Sequence, residues 1–398
     1  MKPNRITLAI CLAWGLGLLT MPLFSFSVSA AEPLPPKYRV YVGAYTTYGK
    51  KEGKGIYSFE FDPHTGKATT PKLVAEVDNP SFLTIPSDAS HLYACIEVNH
   101  LGDAPEQKNT GGVAAFQIDP KTGDLKHLNT QPAHGTITCH VSLDSAARTL
   151  LAANYGTGAT AVTFRINDDG SLTPAVSTVE HTGSSANQGR QERPHGHSIN
   201  LTPDGKFAVV ADLGTDQLVV YPFDSATGKL DATKGVSIPA QPGAGPRHFT
   251  FHPTGKFAYH NNELNWTVTA YQYADQKLTP LQTITTVPED WTGSGGTAEI
   301  AVHPSGKFLY VSNRGPDTLA IYQIQENGTL KPAGFASTLG KIPRNFVIDP
   351  SGTFLLAANQ DSDNIFVFTI DQETGALAPT GEVINVPMPV CVRLVPLK

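Results

Sequence analysis

The feature that most constrains this chain is a strand-like segment that recurs seven times along it. Each copy begins at a turn, continues as a short apolar run and ends in a polar side chain. Five copies are clear, at residues 147–154, 205–212, 255–262, 306–313 and 352–359, and two weaker copies start at residues 36 and 89. Successive copies start 53, 58, 58, 50, 51 and 46 residues apart. Repeats of this length indicate a propeller, a solenoid or an array rather than an ordinary single-core domain.

Two further patterns recur with the same count. One is an Asp- and Gly-bearing turn typical of a hairpin between outer strands, at residues 62–66, 119–123, 168–170, 224–228, 274–276, 326–328 and 371–375. The other indicates a strand that precedes the first pattern, with copies that start at residues 79, 138, 194, 246, 297, 343 and 389. This last series is shifted in phase, because the first unit lacks its copy and the last copy stands alone.

Seven units of four short strands predict an all-β, seven-bladed β-propeller over residues 32–398. The strand at residues 388–394 would become the innermost strand of the blade formed by residues 38–44, 55–61 and 72–77. Closing the ring in this way pairs both ends of the chain and removes two open sheet edges. The 36 Gly and 31 Pro residues and the low charged content of 16% suit many short strands joined by turns.

Residues 1–31 have the pattern of a secretory signal peptide. Lys2 and Arg5 precede an apolar run over residues 6–24, and small residues at 27–31 supply a cleavage site after Ala30 or Ala31. The alternative interpretation is an uncleaved membrane anchor. We predict an exported protein, periplasmic or secreted. After cleavage it would have no membrane segment, since no other stretch is apolar enough to span a bilayer.

Charge and cysteine content exclude some classes of protein. Removal of Lys2 and Arg5 moves the net charge from −6 to −8, which leaves no general attraction for nucleic acid. Three cysteines then remain, Cys95, Cys139 and Cys391, a set too small and odd in number for a disulfide framework. We interpret them as small buried apolar side chains.

Ionisable side chains concentrate where two strand series meet. Neighbouring strands of a blade are antiparallel, so the starts of the innermost strands and the ends of the second strands converge on one mouth of the channel. The strand starts and ends and one loop bring there His140, His195, His197, Arg247, His248, Glu299, Arg344, Glu97, Glu263, Arg314, Gln360, Arg190, Gln191 and Arg193. So many charges are costly to gather unless they bind something polar, so we expect the functional site at this mouth.

The polar residues that end the second strands have a simpler interpretation. They occupy the same repeat position in each unit, as Asn154, Asp212, Asn262, Asn313 and Asn359. A side chain that caps the same turn in every blade explains them. The residue that follows differs in charge from unit to unit, which is typical of a binding site.

Two chemistries are open to the histidines. His195 and His197 lie two residues apart on a strand and would face the same side. With Glu263 they could hold a metal ion, but no complete ligand set with fixed spacing appears, so we expect no metal and favour a histidine that moves a proton. The alternative is a pair of structural histidines in the channel wall.

The arginines and one glycine-rich loop indicate what kind of ligand the mouth would bind. Arg190, Arg247, Arg314 and Arg344 favour an anionic ligand, because guanidinium pairs bidentately with carboxylate or phosphate. The glycine-rich residues 292–297 lead into a strand rather than a helix, which argues against a phosphate-binding loop. Their place beside Trp291 favours a lid over the mouth.

Six motifs, in order along the chain, resemble a known family. They are Arg190-Gln191 and residues 194–197, 212–214, 245–248, 262–264 and 313–315. Together they are similar to the propeller lactonase family of bacterial 6-phosphogluconolactonases and fungal carboxymuconate cyclases, over about Tyr41 to Val392. The resemblance implies a seven-bladed propeller without a metal or other cofactor. It also implies catalysis by His195 or His197 with Arg247, Glu263 and Arg314.

We therefore predict a hydrolase of a sugar-acid lactone, whose ligand is a small lactone or sugar acid. Glu263 or one imidazole would activate water, and the arginines would stabilise the oxyanion. His140, Arg190, Gln191, His248, Glu97, Arg344 and Glu299 would contact the substrate. The best-known substrate of the family is a cytoplasmic phosphorylated lactone, so the export pattern leaves the need for phosphate open. The alternatives are a cycloisomerase of a muconate-type dicarboxylate and a non-catalytic ligand-binding propeller.

Overall fold

The structure, a computed structural model, describes residues 34–47, 53–144, 146 and 148–397. The predicted signal peptide at residues 1–31 lies outside these residues. The residues from Pro35 onward form one compact unit. No helix in the described part of the chain has the length and apolar character needed to cross a membrane.

The described chain consists of thirty strands in seven sheets, as the repeats predict. The first three sheets contain β1 (Tyr38–Ala44), β2 (Gly55–Asp62), β3 (Lys67–Ala68) and β4 (Lys72–Glu76); β5 (Leu83–Thr84), β6 (His91–Ile96), β7 (Gly112–Ile118) and β8 (Leu125–Pro132); and β9 (Thr138–Leu143), β10 (Thr149–Asn154), β11 (Ala161–Ile166) and β12 (Leu172–Val179). The fourth contains β13 (Gly196–Leu201), β14 (Phe207–Asp212), β15 (Gln217–Asp224), β16 (Lys229–Leu230) and β17 (Val236–Pro239).

The last three sheets follow the same order. They contain β18 (Pro246–Phe251), β19 (Phe257–Asn262), β20 (Thr267–Ala274) and β21 (Lys277–Thr285); β22 (Gly296–Val302), β23 (Phe308–Arg314), β24 (Thr318–Ile324) and β25 (Leu330–Ser337); and β26 (Pro343–Ile348), β27 (Phe354–Asn359), β28 (Asn364–Ile370) and β29 (Leu377–Asn385), followed by β30 (Pro389–Pro396). Short 3₁₀ turns lie at Pro105–Gln107, Ala232–Lys234 and Gln360–Ser362. In the first and fourth sheets the outer strand is divided into two short pieces.

The ring closes as the phase shift predicts. Strand β30 pairs antiparallel with β1, with Val42 opposite Val392, and becomes the innermost strand of the first blade. Its Val392 amide also donates to Asn345 Oδ1 of the seventh blade at 2.8 Å. The last strand therefore joins the first blade and the seventh, and the chain's two ends are held by the same sheet.

The apolar core lies between the blades. Second strands such as β10 and β27 are buried along their whole length because a neighbouring sheet covers each of their faces. Both strands accordingly have the same apolar run, Leu-Leu-Ala-Ala. Outer strands such as β25 alternate between exposed and half-buried residues, as expected for a sheet with one solvated face.

Four of the blades also form a hydrogen bond to the next blade through a tyrosine. The hydroxyls of Tyr41, Tyr93, Tyr259 and Tyr310 donate to the carbonyls of Gly123, Gly170, Gly328 and Gly375, at 2.8–3.1 Å. These glycines have φ between 73° and 84° and belong to the Asp/Gly turns of the following blade. The turn motif therefore serves two purposes, since glycine permits the positive φ and presents a carbonyl to the neighbouring sheet.

Four of the five polar side chains at the ends of the second strands are caps, as the sequence indicated, whereas Asn262 bonds to Thr267 and Thr269 of its own hairpin. Asn154, Asn313 and Asn359 each donate from Nδ2 to a backbone carbonyl just after the outer strand of the preceding blade, at Ala133, Thr286 and Thr338. Asp212 accepts from the amides of His195 and Gly214. These caps fix the loops at the mouth of the channel.

We expect a small apolar truncation in the closing strand to destabilise the whole ring. Val392 is fully buried in the core beside β1. Val392→Ala should lower the free energy of unfolding by about 2 kcal/mol, because it leaves a cavity. The control Val236→Ala, at a side chain 60% exposed, should change it by less than about 0.5 kcal/mol. Urea unfolding measures both, and equal effects would contradict a stabilising closure.

Candidate active site at the channel mouth

The starts of the innermost strands and the ends of the second strands meet at one mouth. The register places Gly196 opposite Asp212, Pro246 opposite Asn262 and Gly296 opposite Arg314. In six of the seven blades the register between these two strands shifts next to the mouth. Bulges of this kind re-aim side chains, and here they turn residues at the strand starts into the channel.

Glu263 is the centre of the charged cluster. Its Oε1 lies 2.6 Å from Arg190 Nη2, and its Oε2 lies 3.0 Å from Arg247 Nε and 3.1 Å from Arg314 Nη2. His197 Nε2 is 3.8 Å from the same Oε2. Three guanidiniums and one imidazole, from four separate segments, therefore surround one carboxylate.

The three arginines differ in how much of each side chain is exposed. Arg247 is 2% exposed, and it also donates to the Ala298 carbonyl and to His248 Nε2. Arg314 is 15% exposed and donates to the Thr297 carbonyl. Arg190 is 42% exposed and contacts the Tyr155 hydroxyl at 3.2 Å. A ligand that enters the mouth would thus meet Arg190 and Arg314, with Arg247 behind them.

The two histidines that the sequence places on one face have different partners. His195 precedes its strand, stacks on Tyr155 at 4.3 Å and directs Nδ1 to the Tyr155 carbonyl at 2.6 Å. His197 lies at the register shift, meets Tyr155 edge-on at 5.5 Å and faces Glu263. Both rings contact Tyr155, but it is His197 that pairs with Glu263, and the register shift beside Gly196 accounts for the different settings of the two histidines. His197 belongs to the cluster, and the contacts of His195 lie at its edge.

Imidazoles line the channel below the cluster. The His248 ring lies 5.4 Å from that of His197 and 5.5 Å from that of His140, which packs on Phe82 at 4.2 Å. His248 Nδ1 is 2.9 Å from Glu299 Oε1, and Asn345 donates to the other Glu299 oxygen. A continuous polar chain thus runs from Asn345 through Glu299 and His248 to Arg247.

Two residues predicted to contact substrate are engaged in the protein itself. Gln191 is fully buried, donates to the Leu213 carbonyl and accepts from the Asn187 amide, so it braces the loop that carries Arg190. Both carboxylate oxygens of Glu97 accept from the Tyr45 hydroxyl at 3.0 Å. Tyr155 occupies the variable position after a second strand, which the sequence assigns to a binding site, whereas no sequence pattern indicates Tyr45.

Arg344 lies on the other side of the opening, over the Tyr45 ring at 5.1 Å. Within the described part of the chain no carboxylate pairs with its guanidinium. Burial opposes its charge, but Tyr45 and Glu97 outweigh that effect and raise the pKa of Arg344. Among the described residues of the mouth, Arg344 is therefore a cation without a bonded carboxylate.

At neutral pH the carboxylate and the arginines of the site are charged, and the buried histidines are neutral. Burial alone would raise the pKa of Glu263, but Arg314 and Arg247 hold it well below its ordinary value. Burial, with Arg314 and Arg344, lowers the pKa of Arg247 to about 10, so it remains a cation. Burial holds the pKa of His140, His197 and His248 well below the ordinary value, so these rings are neutral.

Metal-ligating side chains are not grouped in the described residues. No three His, Cys, Asp or Glu side chains there are arranged to hold an ion. Cys95, Cys139 and Cys391 are buried free thiols, as the sequence indicated. Cys139 Sγ lies 3.9 Å from His197 Nδ1, and burial raises the pKa of this thiol well above its ordinary value.

Comparison with known sequences identifies the class of protein to which this propeller belongs. The family model described as lactonase, seven-bladed β-propeller matches residues 39–394. The chain therefore belongs to the lactonase family of seven-bladed β-propellers, a class of lactone-hydrolysing enzymes.

Individual relatives cover almost the same length. The 6-phosphogluconolactonase of Bacillus subtilis is 38% identical over 360 residues, 90% of this chain and 98% of the relative. That of Formosa agariphila is 37% identical over 85% of this chain and 94% of its own. Among solved structures, the periplasmic gluconolactonase of Pseudomonas aeruginosa is 32% identical, covers 91% of this chain and all of its own, and superposes with a TM-score of 0.83.

Acidification should destabilise the folded protein. His140, His197 and His248 stay neutral in the folded state but bind protons near pH 6.5 when unfolded. The unfolded state then binds more protons, so stability falls as the pH drops below about 6.5, by about 1 kcal/mol per histidine for each pH unit. Melting temperatures between about pH 7.5 and 5.5 measure the effect.

Two variants test whether the buried histidines cause this pH dependence of stability. His248→Gln removes one buried imidazole and should weaken the dependence, whereas His64→Asn, at an exposed outer turn, should leave it unchanged. A melting temperature that is constant or rises on acidification would contradict the burial of neutral imidazoles at the mouth.

Proposed function

We propose that this protein hydrolyses the lactone of a sugar acid at the channel mouth, outside the cytoplasm. The observation that carries the proposal is the convergence of Arg190, Arg247, Arg314 and His197 on Glu263. Family membership supports the reaction type, and the names of the Bacillus and Pseudomonas relatives support a gluconolactone-type substrate. The N-terminal export pattern and the periplasmic neighbour support the location.

His197 is the base best placed to activate water. Because its ring is neutral, Nε2 can accept a proton when Nδ1 carries the other. The Glu263 carboxylate at 3.8 Å would then stabilise the imidazolium. Glu263 is less suited to this task, since guanidiniums hold both of its carboxylate oxygens at 2.6–3.1 Å. In our proposal, Glu263 therefore orients the guanidiniums and compensates part of their charge.

The reaction consumes one water. Its oxygen attacks the lactone carbonyl while a proton passes to His197, and the tetrahedral oxyanion forms opposite Arg314 and Arg190. The bond between the carbonyl carbon and the ring oxygen then breaks. The proton held by His197 passes to the departing oxygen, which leaves an open-chain hydroxy acid. Arg247 is a positioning residue in this scheme, since it holds Glu263 and His248 from behind.

The position of Arg344 supports the proposal that the substrate carries an anionic substituent. Its guanidinium faces the opening without a carboxylate partner in the described residues, whereas the other three arginines share Glu263. A phosphate at the far end of a sugar lactone fits such a cation. Comparing gluconolactone with its 6-phosphate tests this assignment. A phosphate preference that Arg344→Ala removes would support it.

Base titration of lactone opening with purified protein tests the activity. We expect a rate above the buffer for gluconolactone or its 6-phosphate, and a loss of about 100-fold or more in kcat for Glu263→Gln and for Arg314→Ala. Arg148→Ala, at a side chain 57% exposed beyond the opposite ends of the strands, is the control and should retain full activity. No rate with either lactone, or full activity in a Glu263→Gln, Arg247→Ala double variant, would contradict the proposal.

The pH profile tests the assignment of the base. An ordinary histidine loses its base form near pH 6.5, but burial lowers the pKa of His197 well below this value. The base form therefore persists as the pH falls, and kcat/KM should be constant between about pH 6 and 8 after subtraction of the uncatalysed rate. His197→Asn should abolish most of this rate. An acid limb near pH 6.5 would contradict a buried neutral base.

A further inference from the structure

A second cleft lies on the same face of the propeller as the active site. It has a volume of about 630 Å³ and lies between the turn after β19 and the loop from β21 to β22. Asn265, Trp266, Glu289, Trp291 and Thr292 are among its lining residues. None of these side chains has a part in the reaction scheme above.

Two half-buried tryptophans form the wall of this cleft. The rings of Trp266 and Trp291 lie 6.2 Å apart with their planes at 73°. Both line the open volume, so each presents aromatic surface to whatever enters it. Aromatic rings bury a large area and have electron-rich faces that attract the partly positive C–H groups of a sugar ring.

The glycine-rich loop lies between this cleft and the active site. A Cβ placed on Gly295 would lie 2.9 Å from Trp266 Cη2, and one placed on Gly296 would lie 2.9 Å from Glu263 Cγ. Two successive residues thus separate the Trp266 ring from the carboxylate at the centre of the site. A ligand that places its lactone ring beside Glu263 can extend over this loop into the cleft.

The character of the lining selects for a neutral, hydroxylated group. Asn265, Thr292 and Glu289 offer both hydrogen-bond donors and acceptors beside the aromatic wall. Among the described residues that line the cleft there is a carboxylate but no lysine or arginine. A phosphate or carboxylate would be repelled there, whereas sugar hydroxyls can bond to each of these groups.

We propose that this cleft is a subsite for a second sugar ring, and that the enzyme accepts lactones of disaccharide acids. The inference rests on the proposed lactone hydrolysis and specifies its substrate class as glycosyl aldonolactones. The lactone ring lies at Glu263, and the attached glycosyl ring stacks on Trp291 and Trp266. The Gly-rich loop between them then serves as the floor that connects the two rings.

Steady-state kinetics with gluconolactone and with cellobiono- and maltobionolactone test the subsite. For Trp291→Ala we expect KM to rise about tenfold for a disaccharide lactone, with less than a twofold change for gluconolactone. Trp291→Phe keeps an aromatic face and should restore most of the affinity. Trp266→Phe provides a second, milder change in the same wall. Equal losses for both substrate classes, or none for either, would overturn the subsite.

Tryptophan fluorescence provides a readout that does not depend on turnover. Two of the chain's three tryptophans, Trp266 and Trp291, lie in the cleft. Titration with cellobionate should give a saturable change at a concentration at least tenfold lower than gluconate requires, and Trp291→Ala should abolish it. The same response to both acids would overturn the subsite.

The two proposals fail in different ways. Hydrolysis of gluconolactone without any dependence of disaccharide lactones on Trp291 removes the subsite and leaves the lactonase function intact. Failure to hydrolyse any lactone contradicts the proposed function. In that case the fluorescence titration alone tests whether the cleft binds a second sugar ring.

Discussion

Contact between neighbouring sheets is the interaction on which the structure depends. No single blade could bury the strands β10 or β27 along their whole length, because each needs a sheet on both of its faces. The tyrosine–glycine hydrogen bonds and the asparagine caps add polar bonds to the same contacts, so blade spacing is fixed at the rim and at the mouth. The position of every side chain at the channel follows from that spacing.

The ring of blades holds ionisable side chains from different parts of the chain together in one cluster. Desolvating a carboxylate and several guanidiniums costs several kcal/mol per ion unless they pair closely. Here Glu263 satisfies three guanidiniums from different parts of the chain, and the surrounding imidazoles stay neutral. With three guanidiniums to one carboxylate the cluster retains excess positive charge, and Arg344 on the other side of the opening adds to it. Three arginines bound to Glu263, with Arg344 on the other side of the opening, suit a site that holds a substrate anion and an oxyanion together.

Much of the fold and the membership of the cluster could be predicted from the sequence. The count and phase of the repeats predict seven blades and the closing strand, and antiparallel pairing predicts that Arg247, Glu263 and Arg314 meet. The different settings of His195 and His197 could not be predicted, because a register shift of one residue re-aims a side chain. The burial of Gln191 depends on a loop without periodicity, and the Tyr–Gly bonds join positions with no fixed separation.

The pairing of β30 with β1 also governs how the polypeptide can reach its native state. Residues 38–44 pair with β2 on one edge, but on the other edge they pair with residues 389–396. The sequence separation of this second contact is very large, so the chain loses the entropy of closing a long loop before the contact stabilises it. A polypeptide that lacks residues 389–396 can form six blades, but its first blade has no innermost strand and leaves β1 as an edge open to aggregation.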